Sequence, residues 1–167
     1  MKGLKLLLPL VLILFVASIC FADEVKGKIT VVDLGGNIIE VSGVRVASQT
    51  AQIEDEMDRR IDLGGLKVGD YVEIDGFFTE PGLLSASSIE KKLAGIDKLK
   101  GTISRVDSEG RQLLIGGVTV IVPNTALIEG EEDVRIPLQQ LRANYIVKCE
   151  GTWTGPRELT AVKVETD

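Results

Sequence analysis

The sequence contains no histidine, only two cysteines and few aromatic residues. Without histidine, the chain lacks the commonest general base and the commonest ligand for transition metals. It also has no Gly-x-Ser-x-Gly motif, no phosphate-binding glycine loop and no cluster of cysteines that could hold a metal. These absences exclude the usual routes to nucleophilic and metal-assisted catalysis. They predict a protein that is not an enzyme.

The first 22 residues differ in composition from the rest of the chain. Lys2 and Lys5 form a short positive start, an uncharged apolar stretch runs from residue 6 to residue 22, and Asp23 follows. This order is typical of a secretory signal peptide. We predict a signal helix over residues 1–22 that is cleaved after Ala22, and export to the periplasm or beyond the cell.

Two other fates of this segment remain open. The uncharged stretch is 17 residues long, which is at the lower limit for a helix that stays in the membrane as an anchor. Lipid attachment at Cys20 is the other alternative. It is disfavoured because Ile19, directly before that cysteine, is not a small residue.

The charge of the mature chain is strongly acidic. Removal of the leader takes two of the 19 basic residues and none of the 25 acidic ones, which leaves 17 against 25 and a net charge of −8. An acidic surface repels phosphate groups. We therefore expect no nucleic-acid partner, and membrane contact only through the leader if it stays uncleaved.

An internal repeat organises the remaining residues. The segment that begins at Val25 matches the segment that begins at Leu99, first at an offset of 74 residues and, after a one-residue insertion, at an offset of 75. The matched pairs include Gly27 with Gly101, Asp33 with Asp107, Val72 with Val147, Gly76 with Gly151, and Glu90 with Glu165. We predict two copies of one module, at residues 23–92 and 97–167, joined by a short linker.

Each copy shows the alternation of β-strands. In the first strand, Val25, Ile29 and Val31 alternate with lysines and a threonine, and glycine-rich turns separate the strands that follow. About five strands per copy at intervals of roughly 8–12 residues predict a small all-β barrel, with a sandwich as the alternative.

The motifs of both copies resemble a known family. Gly-x-Ile…Val-Asp, Gly-Val-x-Val and the stretch Leu-Lys-Val-Gly-Asp-Tyr-Val-Glu-Ile-Asp-Gly at residues 66–76 are similar to those of bacterial exported repeats catalogued as domain of unknown function 5666. The second copy departs from the pattern at Asn144 and Tyr145. The resemblance implies an envelope location and no established reaction. Together with a looser likeness to OB-type barrels, it gives the expected fold: all-β, with two tandem five- to six-stranded antiparallel β-barrels after the signal helix.

Two acidic stretches are the candidate metal sites. Carboxylates clustered on a loop can supply several of the six to eight oxygens that calcium takes. The stretches occupy equivalent places in the two copies and comprise Glu54, Asp55, Glu56 and Asp58, and Glu129, Glu131, Glu132 and Asp133. Their spacing does not match the helix–loop–helix calcium motif. The alternative is a pair of solvated loops that keep the protein soluble.

Phe78 and Trp153 are the candidate ligand platform. They are equivalent in the two copies, and aromatic rings at the mouth of a barrel can stack sugars. Because they share the parity of the inward-facing residues, the alternative is that they plug the core. Cys149 takes the place of Ile74, which predicts a buried side chain and leaves an intermolecular disulfide as the alternative.

We therefore expect an exported, non-catalytic tandem β-barrel protein that serves as a binding or structural module. The alternatives are a calcium-responsive domain that uses the acidic loops and a module that binds carbohydrate or another polymer. Its partner would be another envelope protein or a polysaccharide. No cofactor is expected, and calcium is the one candidate ion.

Overall fold

The structure is a computed structural model, and it describes residues 22–166. The expected signal helix, at residues 1–22, therefore lies almost wholly outside the described residues. The described residues are all-β, with three short 3-10 turns and no α-helix among them. These turns lie at Leu63–Gly65, Glu131–Asp133 and Leu138–Gln140.

Twelve strands divide evenly between the two expected repeats. The first repeat contains β1 (Asp23–Asp33), β2 (Ile38–Val41), β3 (Val44–Ala47), β4 (Gln52–Glu54), β5 (Tyr71–Glu80) and β6 (Leu83–Lys92). The second contains β7 (Asp97–Asp107), β8 (Gln112–Ile115), β9 (Val118–Ile121), β10 (Leu127–Glu129), β11 (Ile146–Gly155) and β12 (Glu158–Thr166). The pairing irregularities also fall at equivalent places, for example between Asp75 and Gly76 and between Glu150 and Gly151.

The strand pairings of each repeat return to the strand at which they begin. In the first repeat, β1 pairs with β2, β2 with β3, β3 with β6, β6 with β5, and β5 with β1. The second repeat has the same circuit, which runs through β7, β8, β9, β12 and β11. The short strands β4 and β10 add to β6 and β12 outside these circuits.

The expectation of purely antiparallel pairing is wrong at four places. The pairs β3–β6, β4–β6, β9–β12 and β10–β12 are parallel. The parallel direction of these pairs follows from the connectivity of the chain. Strands that a hairpin joins are antiparallel, whereas parallel neighbours require a long crossover between them. The chain makes this crossover between β3 and β6 through the acidic stretch, a 3-10 turn and β5.

All twelve strands of residues 22–166 belong to one hydrogen-bonded sheet, which the two expected repeats share. The link is an antiparallel pairing between the start of β1 and the start of β7. An unpaired strand edge exposes backbone N–H and C=O groups. At the start of β1 and β7, the backbone of each repeat provides hydrogen-bond partners for these groups of the other repeat. The two expected repeats are thus fused along their first strands.

One hydrophobic core runs through both repeats. Strands β1 and β7 have the same sequence of buried and exposed positions. Val25 and Leu99, where these strands meet, are both fully buried. The period-2 alternation read in the sequence thus places its apolar side chains inside.

Candidate functional site

The seam between the repeats consists of residues 24–26 of β1 and residues 98–100 of β7. Val25 lies opposite Leu99, which is its own equivalent in the second repeat. On either side, Glu24 lies opposite Lys100 and Lys26 lies opposite Lys98. The seam therefore has the arrangement of a two-fold axis that passes between Val25 and Leu99.

The two expected platform aromatics pack between the repeats. The indole Nε1 of Trp153 donates a hydrogen bond of 2.9 Å to the carbonyl oxygen of Lys26 in the other repeat. The Trp153 ring lies so close to Gly27 that a Cβ built there would come within 2.7 Å of Nε1. The ring of Phe78 packs on a different residue of the other repeat, since a Cβ at Gly116 would lie 2.3 Å from it. These contacts give both rings a packing role between the repeats, and a ligand platform on them stays a prediction.

Two aspartates at the start of β1 and β7 fix the backbone that carries these rings. The Oδ2 atom of Asp23 accepts a hydrogen bond from the backbone N–H of Phe78 at 2.9 Å. The Oδ2 atom of Asp97 accepts one from the N–H of Trp153 at 3.1 Å. Each repeat therefore positions its aromatic residue with an equivalent carboxylate.

The turns of the two repeats also interlock. The N–H of Gly82, in the turn between β5 and β6, donates to the carbonyl of Gly116 at 2.7 Å. Reciprocally, the N–H of Arg157 in the second repeat donates to the carbonyl of Ser42 in the first at 2.6 Å. Both contacts cross between the repeats, so the interface extends well beyond the seam strands.

A cleft of about 880 Å³ lies beside the linker, residues 93–96. The linker, the start of β5 and the end of β6 line it, together with Lys28 and Thr152. A smaller opening of about 290 Å³ shares Tyr71, Lys92 and residues 94–96 with the cleft. The linker therefore lies above Tyr71 with space around it.

Tyr71 is the most unusual side chain of the cleft. It is only 7% exposed, and its hydroxyl has no hydrogen-bond partner among the described residues. The linker packs directly on the ring, since a Cβ at Gly95 would lie 2.6 Å from Cε1. Burial, aided by the charge of Asp97, raises the pKa of Tyr71 to about 12. The phenol is therefore neutral at ordinary pH and has a hydrogen bond to donate.

Charged groups of both signs line the cleft. The Lys91 ammonium lies 3.3 Å from Asp70 and 3.6 Å from Glu56. Lys92 pairs with Glu90. The cleft thus offers ammonium donors and carboxylate acceptors beside a phenol, and sequence reasoning did not identify it. The sequence around Tyr71 did not indicate a binding site, because the linker comes to cover this residue only in the folded chain.

In the first acidic stretch, the carboxylate of Asp55 stabilises a turn of the backbone. It is largely buried, and its Oδ1 accepts hydrogen bonds from the backbone N–H groups of Met57 and Arg59, at 2.9 and 3.0 Å. The Arg59 guanidinium bonds Oδ2 at 2.8 Å, and this bond lowers the pKa of Asp55 to about 2. Glu54 is partly buried, and Glu56 and Asp58 are exposed. Asp55 therefore closes a tight turn, with its carboxylate already satisfied.

In the second acidic stretch, three carboxylates come together. One oxygen from each of Glu129, Asp133 and Glu165 lies within 4.8 Å of the others. Glu131 and Glu132, which the sequence suggested, are exposed and stand outside this group. Glu165 was missed because it lies on β12, and the parallel pairing with β10 brings it opposite Glu129.

Lysines already neutralise this carboxylate group. The Lys163 ammonium lies 2.9 Å from Glu129 and also pairs with Glu165. Lys148 pairs with Glu165 as well, and hydrogen bonds from Lys148 and Lys163 lower the pKa of Glu165. A calcium ion would have to displace an ammonium group that the protein itself supplies.

Cys149 is fully buried, as its match to Ile74 predicted, and its thiol is free in this single chain. It pairs with Leu99 on β7 and with Val164 on β12. Burial raises the pKa of its thiol to about 12. The side chain therefore acts as a small apolar residue of the core.

Among residues 22–166 there is no helix with the length and apolarity that a membrane crossing requires.

Comparisons with known proteins agree with the duplicated architecture. No curated protein matches the chain. The family described as Domain of unknown function (DUF5666) matches twice, at residues 26–90 and 100–165. These two matches confirm the internal repeat and cover most of the sequence, and the chain therefore belongs to the DUF5666 family.

Proposed function

We propose that the protein is an exported, non-catalytic binding module composed of two fused OB-like barrels, and that it holds a polysaccharide chain in the cleft beside Tyr71. The barrel interpretation is supported by the closed circuit of strand pairings in each repeat. In that circuit the third strand pairs in parallel with the last one, β3 with β6 and β9 with β12. OB-type barrels bind oligosaccharides and oligonucleotides, and the acidic charge of this chain disfavours the latter.

Export is supported by the agreement between the predicted cleavage site and the start of β1. Strand β1 starts at Asp23, the residue that the predicted cleavage would make the N-terminus. Asp23 already takes part in the β1–β5 pairing opposite Gly76. Cleavage after Ala22 would therefore leave every strand among residues 22–166 intact.

The unpartnered hydroxyl of Tyr71 carries the binding proposal. A buried polar group without a partner costs about 1–3 kcal/mol, and a bound acceptor that displaced the covering Gly95 would recover this free energy. Sugar hydroxyls both donate and accept hydrogen bonds. They can therefore accept from the ammonium groups of the cleft and donate to its carboxylates. Leu93 and Ile96 are exposed on the linker and offer apolar surface to the C–H face of a sugar ring.

N-terminal sequencing of the protein recovered from the periplasm and the medium tests export. We expect a chain that begins at Asp23. Recovery of the protein only from the cytoplasm, with Met1 retained, would contradict the proposal.

Titration with neutral hexasaccharides of glucose and of N-acetylglucosamine tests binding, with isothermal calorimetry as the readout. We expect one series to bind, and Tyr71→Phe to weaken its affinity about fivefold, the equivalent of one hydrogen bond of about 1 kcal/mol. Tyr145→Phe is the matched control, because Tyr145 is exposed and lies in the second repeat. Absence of binding in both series, or equal affinities for the wild type and Tyr71→Phe, would refute the polysaccharide assignment.

A further inference from the structure

We infer that the seam is a selective recognition surface, through which the first repeat pairs with the second repeat of this chain and neither repeat pairs with a second copy of itself. The two-fold arrangement makes this selection necessary. Because Val25 lies opposite its own equivalent, Leu99, the same backbone register would accept either homotypic pair. The side chains beside these two residues must decide which pair forms.

In the observed pair, the charges of the seam are complementary. Glu24 lies 3.2 Å from Lys26 of its own strand and 3.3 Å from Lys98 of the other repeat. Lys26 in turn bonds Glu73 on β5 at 2.7 Å. Although burial opposes the charge of Lys26, the carboxylates of Glu73 and Glu24 raise its pKa. The side chains of Glu24 and Lys98 are 13% and 17% exposed, so bulk solvent screens this pair only partly.

A pair of two second repeats would place lysine against lysine. The equivalent of Glu24 is Lys98, so that each Lys98 would face Lys100 of the other copy. The same row already contains Lys148, which lies opposite Lys100. Like charges directly opposite on a sheet are destabilising. Each row across the four strands would then contain three ammonium groups and one carboxylate, because Glu150 lies opposite Lys98.

A pair of two first repeats fails for the opposite reason. Glu24 would face Lys26 of the other copy, but on β5 Asp75 already lies opposite Glu24, and Glu73 opposite Lys26. Each row across the four strands would then contain three carboxylates and one ammonium. The observed pair has rows with two groups of each sign, formed by Glu73, Lys26, Lys98 and Glu150, and by Asp75, Glu24, Lys100 and Lys148.

The remaining interface does not depend on the covalent linker. The bonds from Trp153 to Lys26, from Gly82 to Gly116 and from Arg157 to Ser42 all join residues outside residues 93–96. Gly43 and Gly117 have φ angles of +83° and +80°, and a Cβ at either would strike the turn of the opposite repeat. These positions are shaped for the partner repeat, so recognition is a property of the repeats themselves.

The first experiment uses the full chain with a protease recognition sequence in place of residues 93–96. After cleavage, we expect size-exclusion chromatography to show one species with the mass of the intact chain. Native mass spectrometry then identifies the pairs, because the two halves differ in mass. Only mixed pairs are expected. Separation of the halves, their precipitation, or the appearance of homotypic pairs would overturn the inference.

The second experiment reverses the charges of the seam in the same cleavable chain. We expect Lys98→Glu with Lys100→Glu to raise the dissociation constant of the cut halves at least about tenfold. Addition of Glu24→Lys should restore part of the affinity. Lys67→Glu is the control, because Lys67 is exposed and lies away from the seam. An unchanged dissociation constant in the double variant, or an equal loss in the control, would overturn selection by charge.

Discussion

The indole Nε1 of Trp153, in the second repeat, donates a hydrogen bond of 2.9 Å to the backbone carbonyl oxygen of Lys26 in the first. Trp153 is the only tryptophan of the chain. It is packed against the core at a place where equivalent residues of the two repeats approach each other. Its bond and its ring therefore report directly on the association of the repeats.

Replacement of Trp153 by Phe, its equivalent in the first repeat, tests this contact. The variant keeps an aromatic ring but leaves the Lys26 carbonyl without its donor. We expect a loss of about 1–3 kcal/mol in the free energy of unfolding, measured by urea unfolding with far-ultraviolet circular dichroism. Phe77→Leu, at an exposed position, should stay within about 0.5 kcal/mol of the wild type. Equal losses in the two variants would refute a specific role for the indole bond.

Replacement of Gly151 by Ala tests the irregular pairing of β11 with β12. A Cβ at Gly151 would lie 2.1 Å from the carbonyl oxygen of Thr160 and 2.9 Å from Cα of Ala161. Because both are backbone atoms, the strands must move apart, and we expect a loss of about 2–3 kcal/mol in the free energy of unfolding. The matched control is Gly64→Ala, since its Cβ would have open space around it among the described residues. If both variants unfold at the same urea concentration, close approach at Gly151 is not the constraint.

The pH dependence of stability tests the turn that Asp55 closes. The hydrogen bond from Arg59 lowers the pKa of Asp55 from 3.8 to about 2. A carboxyl group with a lowered pKa in the folded state stabilises the fold above its unfolded pKa and loses this contribution as the pH falls through the folded value. We therefore expect Asp55→Asn to be less stable than the wild type at neutral pH. The difference should shrink as the pH falls from about 4 to about 2. A difference that is independent of pH would contradict this assignment.

Calcium addition tests whether Lys163 already neutralises the carboxylates around Glu129 in place of a metal ion. Because its ammonium pairs with Glu129 and Glu165, we expect the wild-type melting temperature to be the same in calcium and in EDTA. Lys163→Met removes this charge and leaves three carboxylates within 4.8 Å. That variant should melt at a lower temperature in EDTA and recover with calcium. A calcium-induced rise in the wild type would instead support a calcium-responsive domain.

The candidate sites show where sequence reasoning succeeded and where it stopped. The burial of Cys149 followed from its match to Ile74, because equivalent positions of a repeat share one environment. Glu165 was missed, since its approach to Glu129 depends on a parallel pairing between strands that are distant along the chain. Tyr71 was missed for a similar reason, because the linker residue Gly95 covers it only in the folded chain.

The alternation of side chains fixed the strands, their inward faces and the duplication, because period-2 burial and repeated spacing are local properties that each segment carries with it. The parallel closure of β3 on β6, the fusion of β1 with β7 and the packing of Trp153 against the other repeat were decided only in three dimensions. A strand edge can be satisfied by any partner with free N–H and C=O groups. Whether the backbone edge of β1 at Val25 pairs with water or with Leu99 therefore depends on the energy of the whole assembly, which no single segment contains.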